Sequence, residues 1–168
     1  MSIVRAIQYN HFNAMRSRGW DKTYWFFDIH STILKPNYKE GDIPKEFYPK
    51  SKEVLQHISK RDDVTMILYT CSHPHEVQEY IDFFDSHNIH FEYVNENPEV
   101  VNSQTSYGCY DKKPYMNVLF EDKAGFDPDK DWGRVESVIQ YNDVMNTKNI
   151  IKIGFNLIKV IRYLFTKK

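Results

Sequence analysis

Apolar residues fall along this chain in short unbroken runs, and segments of helical spacing lie between the runs. The densest run is Tyr24-Trp25-Phe26-Phe27, carried on to Ile29 past Asp28. No position in it alternates to polar before the aspartate, so it predicts a strand over Tyr24–Ile29 buried on both faces. Val64–Tyr69, His90–Val94 and Asn117–Phe120 predict three more strands. Ser51 predicts the N-cap of a helix to about Lys60, with Val54, Leu55 and Ile58 inward. Pro74 opens a helix to about Ser86 with Val77, Ile81 and Phe84 inward, and Asp131 caps one to about Val144. Ahead of the first strand, Ile3, Ala6, Ile7, Phe12 and Met15 have a helical spacing that Asn10 and His11 interrupt.

The remaining stretches read as loops. Lys35–Pro49 holds three prolines and a glycine, and Asn95–Lys113 is polar without periodicity. Strand, helix, strand, helix, strand, loop, strand, helix is the order expected of a parallel sheet with right-handed crossovers. The expected class is therefore α/β, a three-layer Rossmann-like fold.

Composition changes this picture little. The 168 residues fit one domain with a real core, and a net charge of −1 gives no signal for nucleic acid. Two cysteines, Cys71 and Cys109, cannot build a disulfide framework. Met1–Asn10 has no apolar stretch of signal-peptide length, and the expected compartment is the cytoplasm.

The chemistry gathers at strand ends. Asp28-Ile29-His30-Ser31-Thr32 follows the first strand, and open α/β sheets keep their ligands at the carboxyl ends of strands. Thr70-Cys71-Ser72 follows the second strand, and Glu121-Asp122 the fourth, with Lys112-Lys113 a few residues before it. Two acids directly after a buried apolar strand need a cation or solvent beside them. The run Cys71-Ser72-His73-Pro74-His75 has zinc-ligand types but no second cluster, so it reads as a strand-end loop.

In their order and placement, these residues resemble the four motifs of the haloacid dehalogenase superfamily over about Tyr24 to Trp132. The first motif there reads Asp-x-Asp-x-Thr; here the second aspartate is His30. The resemblance implies a small Mg²⁺-dependent phosphatase without a large cap domain. Asp28 would be the nucleophile and His30 the general acid/base, a role its reference pKa of about 6.5 suits. Thr70 and Lys113 would hold the phosphoryl group, with Thr70 favoured over Ser72 by its place at the strand end and Lys112 competing with Lys113. Asp28, the carbonyl of His30 and Asp122 would ligate the metal, with Glu121 orienting a metal-bound water. The alternatives are a catalytically degenerate phosphate- or metal-binding module and an interaction protein acting through its C-terminal helix. Without room for a cap, the site favours large or exposed phosphorylated substrates.

The carboxyl end lies outside the resemblance. Asn149–Phe165 places Lys152, Asn156, Lys159 and Arg162 on one side of a helix and apolar residues over the rest. Charges interrupt it too often for a transmembrane span. It reads as an amphipathic basic helix packing on the core, on a second copy in a homo-oligomer, or on a membrane surface. The expected organisation is a core domain over 1–147 and this helix over 148–168.

Overall fold

The computed structural model describes residues 2–37, 39, 41–102 and 108–146. The helix expected over Asn149–Phe165 lies outside the described residues. The chain divides into two compact units, Met1–Glu136 and Ser137–Lys168.

The first unit is an α/β fold around a four-stranded, all-parallel sheet flanked by helices, the architecture of a Rossmann-like layered domain. Its strands are β1 (Thr23–Phe27), β2 (Val64–Leu68), β3 (Tyr93–Val94) and β4 (Val118–Phe120), in the order β3-β2-β1-β4. The third strand is shorter than the His90–Val94 expected. The helices are α1 (Ile3–Ile7), α2 (Ala14–Arg18), α3 (Ser51–Ile58) and α4 (Pro74–Ser86), followed by α5 over 131–146, which begins in the first unit and ends in the second.

The sheet is central because β1 and β2 cannot face water on either side. Trp25, Phe26, Phe27, Ile67 and Leu68 are fully buried, each worth about 1.5–3 kcal/mol on burial. Phe27 and Phe120 are register partners whose rings stack at 4.4 Å, and Trp132 stacks on Phe120 at 5.5 Å. The order in which strands are added reverses at β1: β2 and β3 are laid down on one side of it and β4 on the other. That is a topological switch point, where a crevice opens at the carboxyl ends of neighbouring strands.

Three local expectations are corrected. The interruption at Asn10 and His11 is a π-helical turn, Gln8–Asn13, joining α1 to α2. It carries His11 into the core, where Nδ1 lies 2.7 Å from Thr23 Oγ1. Ser51 is not a cap: its hydroxyl donates backwards to the carbonyls of Tyr48 and Ile33, and Lys50, with φ of 69°, precedes the helix. The buried face of α4 is Tyr80 and Phe84, one turn apart, while Val77 and Ile81 are half-buried.

Candidate active site at the carboxyl ends of β1 and β4

Register builds the centre of the site. Phe27 pairs with Phe120, so the next rung brings Asp28 beside Glu121. The ladder continues into that rung, because the Asp28 amide donates to the Phe120 carbonyl at 2.9 Å. Neighbouring strands lie about 4.8 Å apart. The carboxylates of Asp28, Glu121 and Asp122 accordingly come together, with one oxygen from each within 4.8 Å of the others.

A turn after β1 locks this arrangement. The amides of Ile33 and Leu34 both donate to the Ile29 carbonyl at 2.9 Å, and Ser31 takes a positive φ of 58°. The turn swings Thr32 back under the site, fully buried. Its hydroxyl donates to Asp28 Oδ2 at 3.4 Å and accepts from the Asp122 amide at 3.1 Å. Its carbonyl accepts from the Trp132 indole at 2.9 Å.

Charge in the cluster is poorly compensated. Burial pushes the Asp28 carboxyl up to about 6, against the lowering effect of the Ile29 amide and Lys123. Glu121 is pushed up by burial and by Asp122 beside it. Asp122 moves down: burial opposes the shift but is outweighed by hydrogen bonds from Glu121 and the Lys123 amide. The Lys123 ammonium stands 3.5 Å from Asp122 and 3.7 Å from Glu121, yet it is largely exposed and weakens only part of the repulsion.

A cleft of about 720 Å³ opens over the cluster, lined by Asp28, His30, Thr70, Ser72, Glu121 and Lys123 among others. Thr70, at the end of β2, is buried; its hydroxyl donates to Ser72 Oγ at 3.0 Å and accepts from the Ser72 amide at 3.1 Å. The side chain of Asn95, just past β3, clasps its backbone, accepting from the Thr70 amide at 2.8 Å and donating to the Thr70 carbonyl at 2.7 Å. His30 lies 2.8 Å by Nε2 from the hydroxyl of the buried Tyr80. Burial, offset by Glu76, leaves the His30 imidazole less basic than usual, and burial raises the Tyr80 phenol to about 12.

Asp28, His30, Thr70, Glu121 and Asp122 thus converge on one end of the sheet. Lys113 does not join them. It is exposed, does not line the cleft, and precedes β4 at the strand's amino end, away from the carboxyl ends that carry the acids. The lysine that lines the cleft is Lys123, in the 3₁₀ turn Asp122–Ala124 after β4. Sequence patterning also passed over Tyr80 and Asn95. Tyr80 looks like any helix aromatic, whereas a polar Asn at a strand end, here with φ of 58°, was a readable signal.

No protein-family model matches the chain, and no curated protein matches it. Among solved structures, the chain is similar to a conserved protein from Bacteroides thetaiotaomicron. That structure is 19% identical with a TM-score of 0.54, over 72% of this chain and 92% of that one. The likeness supports the α/β fold alone. Among the described residues, no helix is long and apolar enough to cross a membrane.

Proposed function

We propose that the chain is a divalent-cation-dependent phosphatase of the haloacid dehalogenase type, with Asp28 as nucleophile and His30 as general acid/base. The observation that carries this reading is the convergence of the Asp28, Glu121 and Asp122 carboxylates, within 4.8 Å, at the switch point of a parallel sheet. A second observation supports a cation there. Burial holds Asp28 near 6 in a cluster of like charge, an environment that a hard cation relieves. Asp28 and Asp122 would hold it directly, with the His30 carbonyl, and Glu121 would orient its water. Bound there, Mg²⁺ supplies neutralisation of phosphoryl charge.

The remaining chemistry belongs to the side chains. Ionised Asp28 attacks phosphorus, and the bond to the leaving oxygen breaks as His30 gives that oxygen a proton. His30 then takes a proton from water, which attacks the aspartyl-phosphate and releases phosphate from Asp28. Thr70, Ser72 and the Lys123 ammonium bind the phosphoryl oxygens, and Lys123 takes the part the sequence assigned to Lys113. Substrates with a large or exposed phosphate suit a cleft that no separate domain of the described chain covers.

A non-catalytic phosphate- or metal-binding module is the second reading, and one observation favours it: Lys113, the lysine expected at the phosphoryl group, is exposed and does not line the cleft.

Hydrolysis of an aryl phosphate, with Mg²⁺ and with chelator, tests the two. Metal-dependent turnover that Asp28→Asn abolishes and His30→Ala lowers by about 10²–10⁴ fits the phosphatase. Mg²⁺ binding without turnover under any condition fits the module and overturns the enzyme.

A further inference from the structure

His30 is held by a side chain from a different element. Tyr80 projects from α4 and is buried, and its hydroxyl stands 2.8 Å from His30 Nε2, with the two rings edge to face at 5.7 Å. Fifty residues separate the pair in the chain. Thr70 and Ser72, whose hydroxyls bond at 3.0 Å, line the same cleft as His30. The Tyr80–His30 contact therefore joins α4 to the residue that follows β1 at the cleft.

We infer that Tyr80 is a positioning residue that sets the tautomer and ring orientation of His30 for proton transfer, an inference that rests on the phosphatase reading. The direction of the bonds follows from the chemistry. With Nε2 occupied by Tyr80, Nδ1 is the ring nitrogen left for the cleft that His30 lines. To take a proton from water, Nδ1 must be bare in the neutral ring, so the ring proton sits on Nε2 and is donated to the Tyr80 oxygen. When Nδ1 gains a proton, Nε2–H keeps the same bond, so the ring does not turn between its acid and base roles. A histidine can replace a carboxylate here because the buried phenol supplies the orientation that a carboxylate, with two equivalent oxygens, does not need.

The test removes one oxygen. Tyr80→Phe keeps the ring and its packing, so the fold is retained, and the thermal midpoint reports this directly. The expected result is a fall in kcat of about tenfold or more with KM unchanged, and no further fall when Tyr80→Phe is added to His30→Ala. Nitrogen-15 spectra of the histidines give a readout independent of turnover. His30 in the wild type shows Nε2 protonated in its neutral form, and Tyr80→Phe gives a mixture of tautomers. An unchanged His30 spectrum in Tyr80→Phe, or an equal loss of kcat with and without His30, overturns the positioning role while leaving the phosphatase standing. A wild-type chain without turnover overturns the phosphatase reading, and the catalytic role of Tyr80 with it.

Discussion

The Asp122 amide donates to the Thr32 hydroxyl at 3.1 Å, joining residues 90 positions apart. That hydroxyl passes its own proton on to Asp28 Oδ2 at 3.4 Å. One buried oxygen thus ties the end of β1 to the end of β4 and sets the spacing between the nucleophile candidate and the acidic pair.

Thr32→Val tests this link with little change of shape. The substitution leaves the Asp122 amide without its acceptor, and the expected loss of stability is about 1–3 kcal/mol. Mg²⁺ affinity should fall by about 10–100-fold, because Thr32 holds the Asp28 carboxylate and the backbone that carries Asp122. Urea unfolding and calorimetric titration measure the two effects; no change in either would remove Thr32 from the site's architecture.

Asp28 should weaken the fold when metal is absent. Its carboxyl rises from 3.8 to about 6 on folding, so the folded state binds the proton more tightly. Stability therefore falls as pH rises from about 4 to 6, by about 3 kcal/mol in all, and stays low above 6. In chelator, Asp28→Asn should stabilise the protein at pH 7–8 and have little effect below pH 4. A variant less stable than wild type at pH 8 would contradict the burial cost.

Cation binding must expel that proton. Mg²⁺ affinity should drop about tenfold per pH unit below pH 6, with about one proton released on binding. Titrations in buffers of differing ionisation heat count the proton. Affinity that stays flat from pH 5 to 8 would place the ion elsewhere.

The two lysines separate cleanly by substitution. Lys123→Met should weaken inhibition by inorganic phosphate about threefold to fivefold, a modest effect because the exposed ammonium is screened by solvent. Lys113→Met should leave it unchanged. The opposite pattern would restore Lys113 to the site.

At the other end of β1, the buried His11 should prove structural. Its imidazole Nε2 lies 3.5 Å from Asp63, which Arg61 also grips with two bonds of 2.8 Å. Burial would raise the Asp63 carboxyl, but His11 and Arg61 outweigh it and hold it well below the usual range. A depressed carboxyl stabilises the fold above pH 3.8, and that stability is lost as pH falls below it. His11→Leu should cost about 1–3 kcal/mol at neutral pH and make the acid-side loss shallower. Equal stability at pH 7 would show that the π-helical turn does not need its histidine.

Much of this is legible in the order of residues along the chain. Trp25-Phe26-Phe27 holds no polar position to face water, so the strand, its burial and the carboxylate that ends it could be read together. Glu121 and Asp122 were legible for the same reason, as charges stranded after Val118-Leu119-Phe120. His11 was not, because a π-helical turn shifts the helical period and turned a core residue into an apparent break. Tyr80 was hidden because nothing in its neighbours distinguishes a hydroxyl aimed at His30 from one aimed at solvent. Lys123 lost to Lys113 because order along the chain says which residues precede a strand, not at which end of the sheet they arrive.

The two outer strands are the shortest in the sheet, two residues in β3 and three in β4, against five in each inner strand. An outer strand of that length offers a passing chain only one or two free backbone donors and acceptors, too few to seed an added strand. The described domain can therefore keep a highly aromatic, strongly sheet-forming centre at high concentration without presenting a template for cross-β growth.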